Sequence, residues 1–229
     1  MNGKRAAAGL ALTGLALHML LTAIQSPARA RAQALPAPPD REVLQVASLG
    51  EPETLARILM LWLQAFDYQS GVSLALRDLD RERVRDWLTR ILELDPRGQY
   101  PLMAAIRLYG DIPEEANQRI FAEFVHGHFY ADPNRRWPWL AHAVVVARHR
   151  LRDLPLALRY ARALADGVTP GRVPSWVWQL EWSILEEMGD MAGAQAALDA
   201  LLAGGRVTDP VERRFLAERK LALASRTAP

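Results

Sequence analysis

Four proline-bearing dipeptides recur along this chain at a nearly constant interval. Asp95-Pro96, Asp132-Pro133, Thr169-Pro170 and Asp209-Pro210 are separated by 37, 37 and 40 residues. Each reads as a helix stop, because the residue before proline avoids the α region. A second marker falls between them: Gly110-Asp111-Ile112, Arg152-Asp153-Leu154 and Gly189-Asp190-Met191, each a polar pair that ends one helix and caps the next. Two independent markers on one period predict an array of α-hairpins over residues 52–94, 99–130, 136–166 and 174–203. Residues 211–224 add a last helix, whose Glu212, Arg213, Arg214, Glu218, Arg219 and Lys220 suit the polar cap such an array needs.

Helical periodicity supports this division. Between Asp80 and Leu94, Val84, Trp87, Leu88, Ile91 and Leu94 form one apolar stripe, with the charges mostly opposite. Asp80 is placed to cap that helix, and Pro52 to open the preceding one, whose stripe is Leu55, Ile58, Leu59, Trp62 and Phe66. Residues 143–147 are apolar five in a row, as expected of a layer covered on both sides. The only strand candidate is 72–76, which a loop explains equally well.

Composition narrows the chemistry. There is no cysteine among the 229 residues, which excludes disulfides, thiolate zinc sites, iron–sulfur clusters and cysteine nucleophiles. Residues 1–32 carry Lys4, Arg5, Arg29 and Arg31 and no acid, leaving 24 basic against 26 acidic residues beyond. The basic character therefore belongs to the N-terminal segment. A nucleic-acid binder would carry its basic stripe on the folded part, so no nucleic-acid partner is expected. Lys4 and Lys220 are the only lysines. Arginine with abundant Ala and Leu reflects a GC-rich coding bias, not a phosphate-binding surface.

Residues 6–24 run for nineteen positions without a formal charge, about 28 Å as a helix against a hydrocarbon core of about 30 Å. Lys4 and Arg5 place the N-terminus on the cytoplasmic side. Residues 1–24 thus read as an uncleaved signal anchor, and 25–43, with Pro27, Pro36, Pro38 and Pro39, as an extended linker. The folded domain is expected at 44–229, on the periplasmic face of a bacterial inner membrane. Ala28-Arg29-Ala30 also fits a signal-peptide cleavage pattern, which would release a soluble periplasmic chain.

The hairpin unit resembles the tetratricopeptide repeat over about 52–203. The match is best in the last hairpin, where Trp178, Leu185, Gly189-Asp190 and Ala194 occupy the consensus tryptophan, bulky, turn and small positions. Trp182 departs from the small residue used there, and Arg152 stands where the turn glycine is expected. The resemblance implies an all-α fold: a right-handed α–α superhelix of about four hairpins, a C-terminal capping helix and the N-terminal membrane helix before them. It also implies a ligand groove lined by the first helix of each hairpin. Those positions map to Tyr100, Ala104 and Arg107, then Trp139, His142, Val146 and His149, then Trp176, Gln179, Ser183 and Glu186.

Tryptophan and arginine are frequent interface anchors, which adds Arg135 and Arg136 beside Trp137 and Trp139. Trp178 and Trp182, one turn apart, read instead as packing between hairpins; Trp139 and Trp176 are the better interface candidates. His126-x-His128 sets two rings on different faces, a poor pair for one ion, and His142 and His149 lie roughly 10 Å apart along a helix, too far to share a metal without a further ligand. No HExxH, EF-hand, GxSxG, P-loop or GxGxxG motif occurs. Carboxylate pairs such as Glu186-Glu187 and Glu114-Glu115 sit at helix ends or on charged faces.

The expected protein is a non-catalytic adaptor or assembly factor without cofactor or metal, holding a protein or peptide partner near the membrane. The alternatives are a secreted periplasmic repeat protein binding a peptide, glycan or small ligand and, ranked third, a metal carrier or enzyme using His126, His128, His142 or His149.

Overall fold

The computed structural model describes residues 13–20, 32–69 and 71–227. The chain divides into two units, Met1–Gln33 with Tyr68–Ser73, and Ala34–Asp67 with Leu74–Pro229. In the first, residues 13–20 are helical, and the Gln69 side-chain amide binds both the backbone N–H and the carbonyl of Gln33, at 2.6 and 2.8 Å. Strands β1 (Tyr68–Gln69) and β2 (Val72–Ser73) pair antiparallel, Tyr68 opposite Ser73 and Gln69 opposite Val72. Gly71 supplies the positive φ, +76°, that the tight turn requires. Of the strand candidate at 72–76, only Val72–Ser73 is strand, and Leu76 already belongs to a 3-10 turn, Leu76–Asp78.

The expected anchor at 1–24 lies outside the described residues apart from 13–20. Among the described residues, no helix is long and apolar enough to cross a membrane.

The second unit is all helix. Its elements are α1 (Arg41–Ala47), α2 (Pro52–Gln64), α3 (Arg81–Leu94), α4 (Tyr100–Ala104), α5 (Glu115–Phe129), α6 (Pro133–Val145), α7 (Leu154–Gly167), α8 (Gln179–Glu187), α9 (Met191–Ala203) and α10 (Pro210–Thr227). α4 and α6 each run on as a π-helical turn, Ala105–Tyr109 and Val146–Arg150, and a 3-10 turn, Ser175–Trp178, leads into α8. From α2 onward each helix packs on the next. α3 also packs on α5, and α4 on α6, so first and second helices of adjacent hairpins form separate layers.

Local signals explain where the helices start. Asp80 accepts the N–H groups of Glu82 and Arg83, and the stripe Val84, Trp87, Leu88, Ile91, Leu94 is buried to 5% or less. Asp153 and Asp190 cap α7 and α9 by accepting the N–H of Leu156 and Gly193, at 3.0 and 2.8 Å. Asp111 does not cap; α5 starts four residues later, after Glu114, without a side-chain cap. Asp132-Pro133 and Asp209-Pro210 open helices instead of closing them, because a proline in the first turn gives up no needed N–H and has the right φ already. α6 consequently begins three residues before the expected start at 136.

Two further expectations change. Leu35 and Leu44 are buried, and the Trp87 indole N–H donates to the Pro36 carbonyl at 2.8 Å, so the proline-rich segment is packed onto the helical unit from Leu35 onward. Within the apolar run at 143–147, Val145 is 44% exposed while its four neighbours are buried. That layer is covered on one side and open on the other.

Candidate partner-binding site

The first helices α4 and α6 and the turn leading into α8 carry the residues expected to line a groove. Tyr100 opens α4 and Trp176 lies in the 3-10 turn; each is 44% exposed. Trp139 lies between them in sequence, half-buried, with its indole N–H donating to the Gln99 side-chain oxygen at 3.1 Å. Trp137 meets Trp176 edge to face at 5.6 Å, joining the third hairpin to the fourth. Aromatic surface from successive hairpins therefore shares one layer.

The polar residues separate into available and consumed. Arg107 and His149 are exposed on the two π-helical turns. Arg135 is exposed, 3.7 Å from Asp132. His142 is half-buried, and its Nε2 is enclosed with no hydrogen-bond partner among the described residues. Burial, then the positive charges of Arg107 and Arg150, push its pKa down against the opposing pull of Asp111. Both effects favour the neutral imidazole.

Arg136 does not belong to a binding surface. It is 2% exposed, and its guanidinium donates to the carbonyls of His128 and, at 2.5 Å, Pro96. It satisfies chain ends of two preceding helices from the first turn of α6, a role invisible from sequence because both acceptors are backbone. Ala104 and Val146 are wholly buried, at the last position of α4 and the first of the π-helical turn that follows α6, so neither lines an open groove.

Of the fourth hairpin's polar positions, Ser183 accepts from Arg148 at 3.2 Å, and Gln179 and Glu186 are covered by α10. Glu212 accepts hydrogen bonds from Ser175 Oγ, at 2.6 and 2.7 Å, and from the Gln179 amide. Glu186 binds Arg219 at 2.6 Å, and the Arg219 guanidinium lies 5.9 Å from the Trp182 ring centroid. Gln179 and Glu186 thus dock the last helix. Trp178 and Trp182 are 4% and 8% exposed, in the core as their spacing indicated.

Six further arginines are paired between hairpins. Arg81–Glu114, Arg119–Asp153, Arg159–Glu123, Arg162–Glu181, Arg148–Glu187 and Arg150–Asp111 each join different helices. Individually such exposed pairs are worth about 0.2–1 kcal/mol. Their effect here is to neutralise those six arginines and tie neighbouring hairpins together.

His126 packs on Tyr160 at 5.0 Å and Tyr130 at 5.7 Å, while the His128 Nδ1 faces the Phe124 carbonyl at 2.8 Å. The two rings point into different surroundings. Among the described residues, no three His, Cys, Asp or Glu side chains gather closely enough to hold a metal ion. Comparison with protein-family models, curated proteins and solved structures returns no match.

Proposed function

We propose that this chain is a membrane-anchored helical-repeat adaptor that holds a protein or peptide partner at the extracytoplasmic face of a bacterial inner membrane. Residues 1–24 supply the anchor, and the second unit is a right-handed, tetratricopeptide-like array. The observation that carries the reading is the aromatic surface of the first-helix layer: Tyr100 and Trp176 remain 44% exposed, with Trp139 half-buried between them in sequence. A folded chain has little reason to leave such side chains in water, and tryptophan dominates binding hot spots. Arg107, Arg135, His142 and His149 on α4, α6 and their π-helical turns supply polar contacts beside it. The role is non-catalytic: aromatic area and neutralised charge suit recognition.

The test is crosslinking of the full-length chain in intact cells, followed by membrane fractionation and mass spectrometry. The expected result is a membrane-bound chain with one recurrent protein partner. Trp176→Ala should reduce recovery of that partner at least tenfold while the melting temperature falls only slightly, by the lost edge-to-face contact with Trp137. A soluble chain without a recurrent partner would overturn the reading.

A further inference from the structure

α2 has two apolar sides. Ala56, Met60 and Leu63 are buried against the array. On the opposite side, at i, i+4, i+7 and i+11, Thr54, Ile58, Leu61 and Ala65 are exposed, Ile58 by 56% and Leu61 by 66%. α2 belongs to the first hairpin, so no preceding hairpin covers this ridge. An end-of-array helix normally turns a polar face outward.

Beside the ridge lies an apolar recess of about 380 Å³. Met60, Leu61 and Ile91 line it, with Tyr100 and Pro101 beyond. Arg57 and Asp95, of opposite charge, come from α2 and from the end of α3. Arg57 lies 3.8 Å from Glu53 and makes no ion pair with Asp95. One patch therefore carries an aliphatic ridge, a recess that fits an aliphatic side chain, and two unlike charges not joined to each other.

An isologous twofold interface needs that combination, since each copy must offer both the knob and the hole. We infer that the α2 face is the site where a second copy of this chain docks, α2 against α2. The Ile58–Leu61 ridge of each copy enters the other's recess, and Arg57 of each faces Asp95 of the other. A partner of different sequence would need no such self-complementarity. The recess shares Tyr100 with the aromatic layer, but the α2 ridge, Trp139 and Trp176 lie outside that overlap, so Leu61→Asp tests the docking and Trp176→Ala tests partner binding separately.

The mass of the purified full-length chain in mild detergent, measured against concentration, tests the docking. The expected species is a dimer, and Leu61→Asp should raise its dissociation constant at least tenfold without moving the melting temperature. Arg57→Asp should weaken it, and adding Asp95→Arg to the same chain should restore it. The absence of native cysteine makes a second readout clean. Among Thr54→Cys, Ile58→Cys, Leu61→Cys and Ala65→Cys, at least one should give an oxidant-dependent dimer band, and Arg152→Cys should give none. A single-chain mass at all concentrations, or crosslinking no greater than for Arg152→Cys, would overturn the inference. So would a monomer whose ridge binds lipid vesicles or a different protein.

Discussion

Arg119 of α5 reaches Asp153, the cap of α7, at 2.8 Å, while the other Asp153 oxygen accepts the Leu156 N–H at 3.0 Å. One carboxylate thus starts a helix and ties it to the preceding hairpin. The Leu156 N–H, then the Arg119 guanidinium, hold its pKa below the usual carboxylate range.

Removing that carboxylate separates the two roles. Asp153→Ala should destabilise the fold by about 1–2 kcal/mol, mostly through the lost cap. Asp153→Asn keeps a capping oxygen and loses the ion pair, so it should cost about 0.5 kcal/mol. Urea unfolding followed by circular dichroism compares them; equal losses would mean the cap is unimportant.

Arg152, immediately before this cap, has φ +52°, in the left-handed region where a side chain crowds the backbone. The corresponding turn in the fourth hairpin uses Gly189, φ +81°. Arg152→Gly should therefore stabilise by about 0.5–1 kcal/mol, and Gly189→Ala should destabilise by about 1 kcal/mol. Thermal melts should move in opposite directions by about 2–4 °C.

Two histidines make stability depend on pH. Burial, then Arg159, lowers the His126 pKa against Glu123; burial, then Arg107 and Arg150, lowers that of His142. Each folded value lies below the ordinary 6.5. The unfolded chain therefore takes up protons first, and stability falls as pH drops below about 6.5, levelling off beneath the folded values. Melting temperatures across pH 8 to 5 should decline for the native chain and less steeply for His142→Gln and His126→Gln. Asp153 titrates lower and does not contribute in this window.

Arg136 should behave as a structural residue. Arg136→Met leaves the His128 and Pro96 carbonyls without that donor and should cost about 2 kcal/mol. Arg136→Lys, with one point charge in place of a planar fork, should lose part of that. Partner recovery below the melting transition should match the native chain in both.

The hairpin period was legible because its signals are local. Asp80, Asp153 and Asp190 cap helices through their own following N–H groups, and the Val84–Leu94 stripe needs only 3.6-residue periodicity to find its core. Trp178 and Trp182 lie in the core, as their spacing indicates, and Trp176 is 44% exposed, whereas Trp139, paired with it as an interface candidate, is half-buried.

Tertiary structure decided what depended on neighbours distant in sequence. The Asp132-Pro133 pair suits the start of one helix as well as the end of another, and the chain uses it as the start of α6, packed on α5. Arg136 became buried because two carbonyls 8 and 40 residues away converge on it. Gln179 and Glu186 left the open surface because α10 folds back onto α8 and α9 and spends its own charges there. Helix existence is a property of short segments, whereas exposure belongs to the whole chain, because a side chain meets water only where no other segment arrives first.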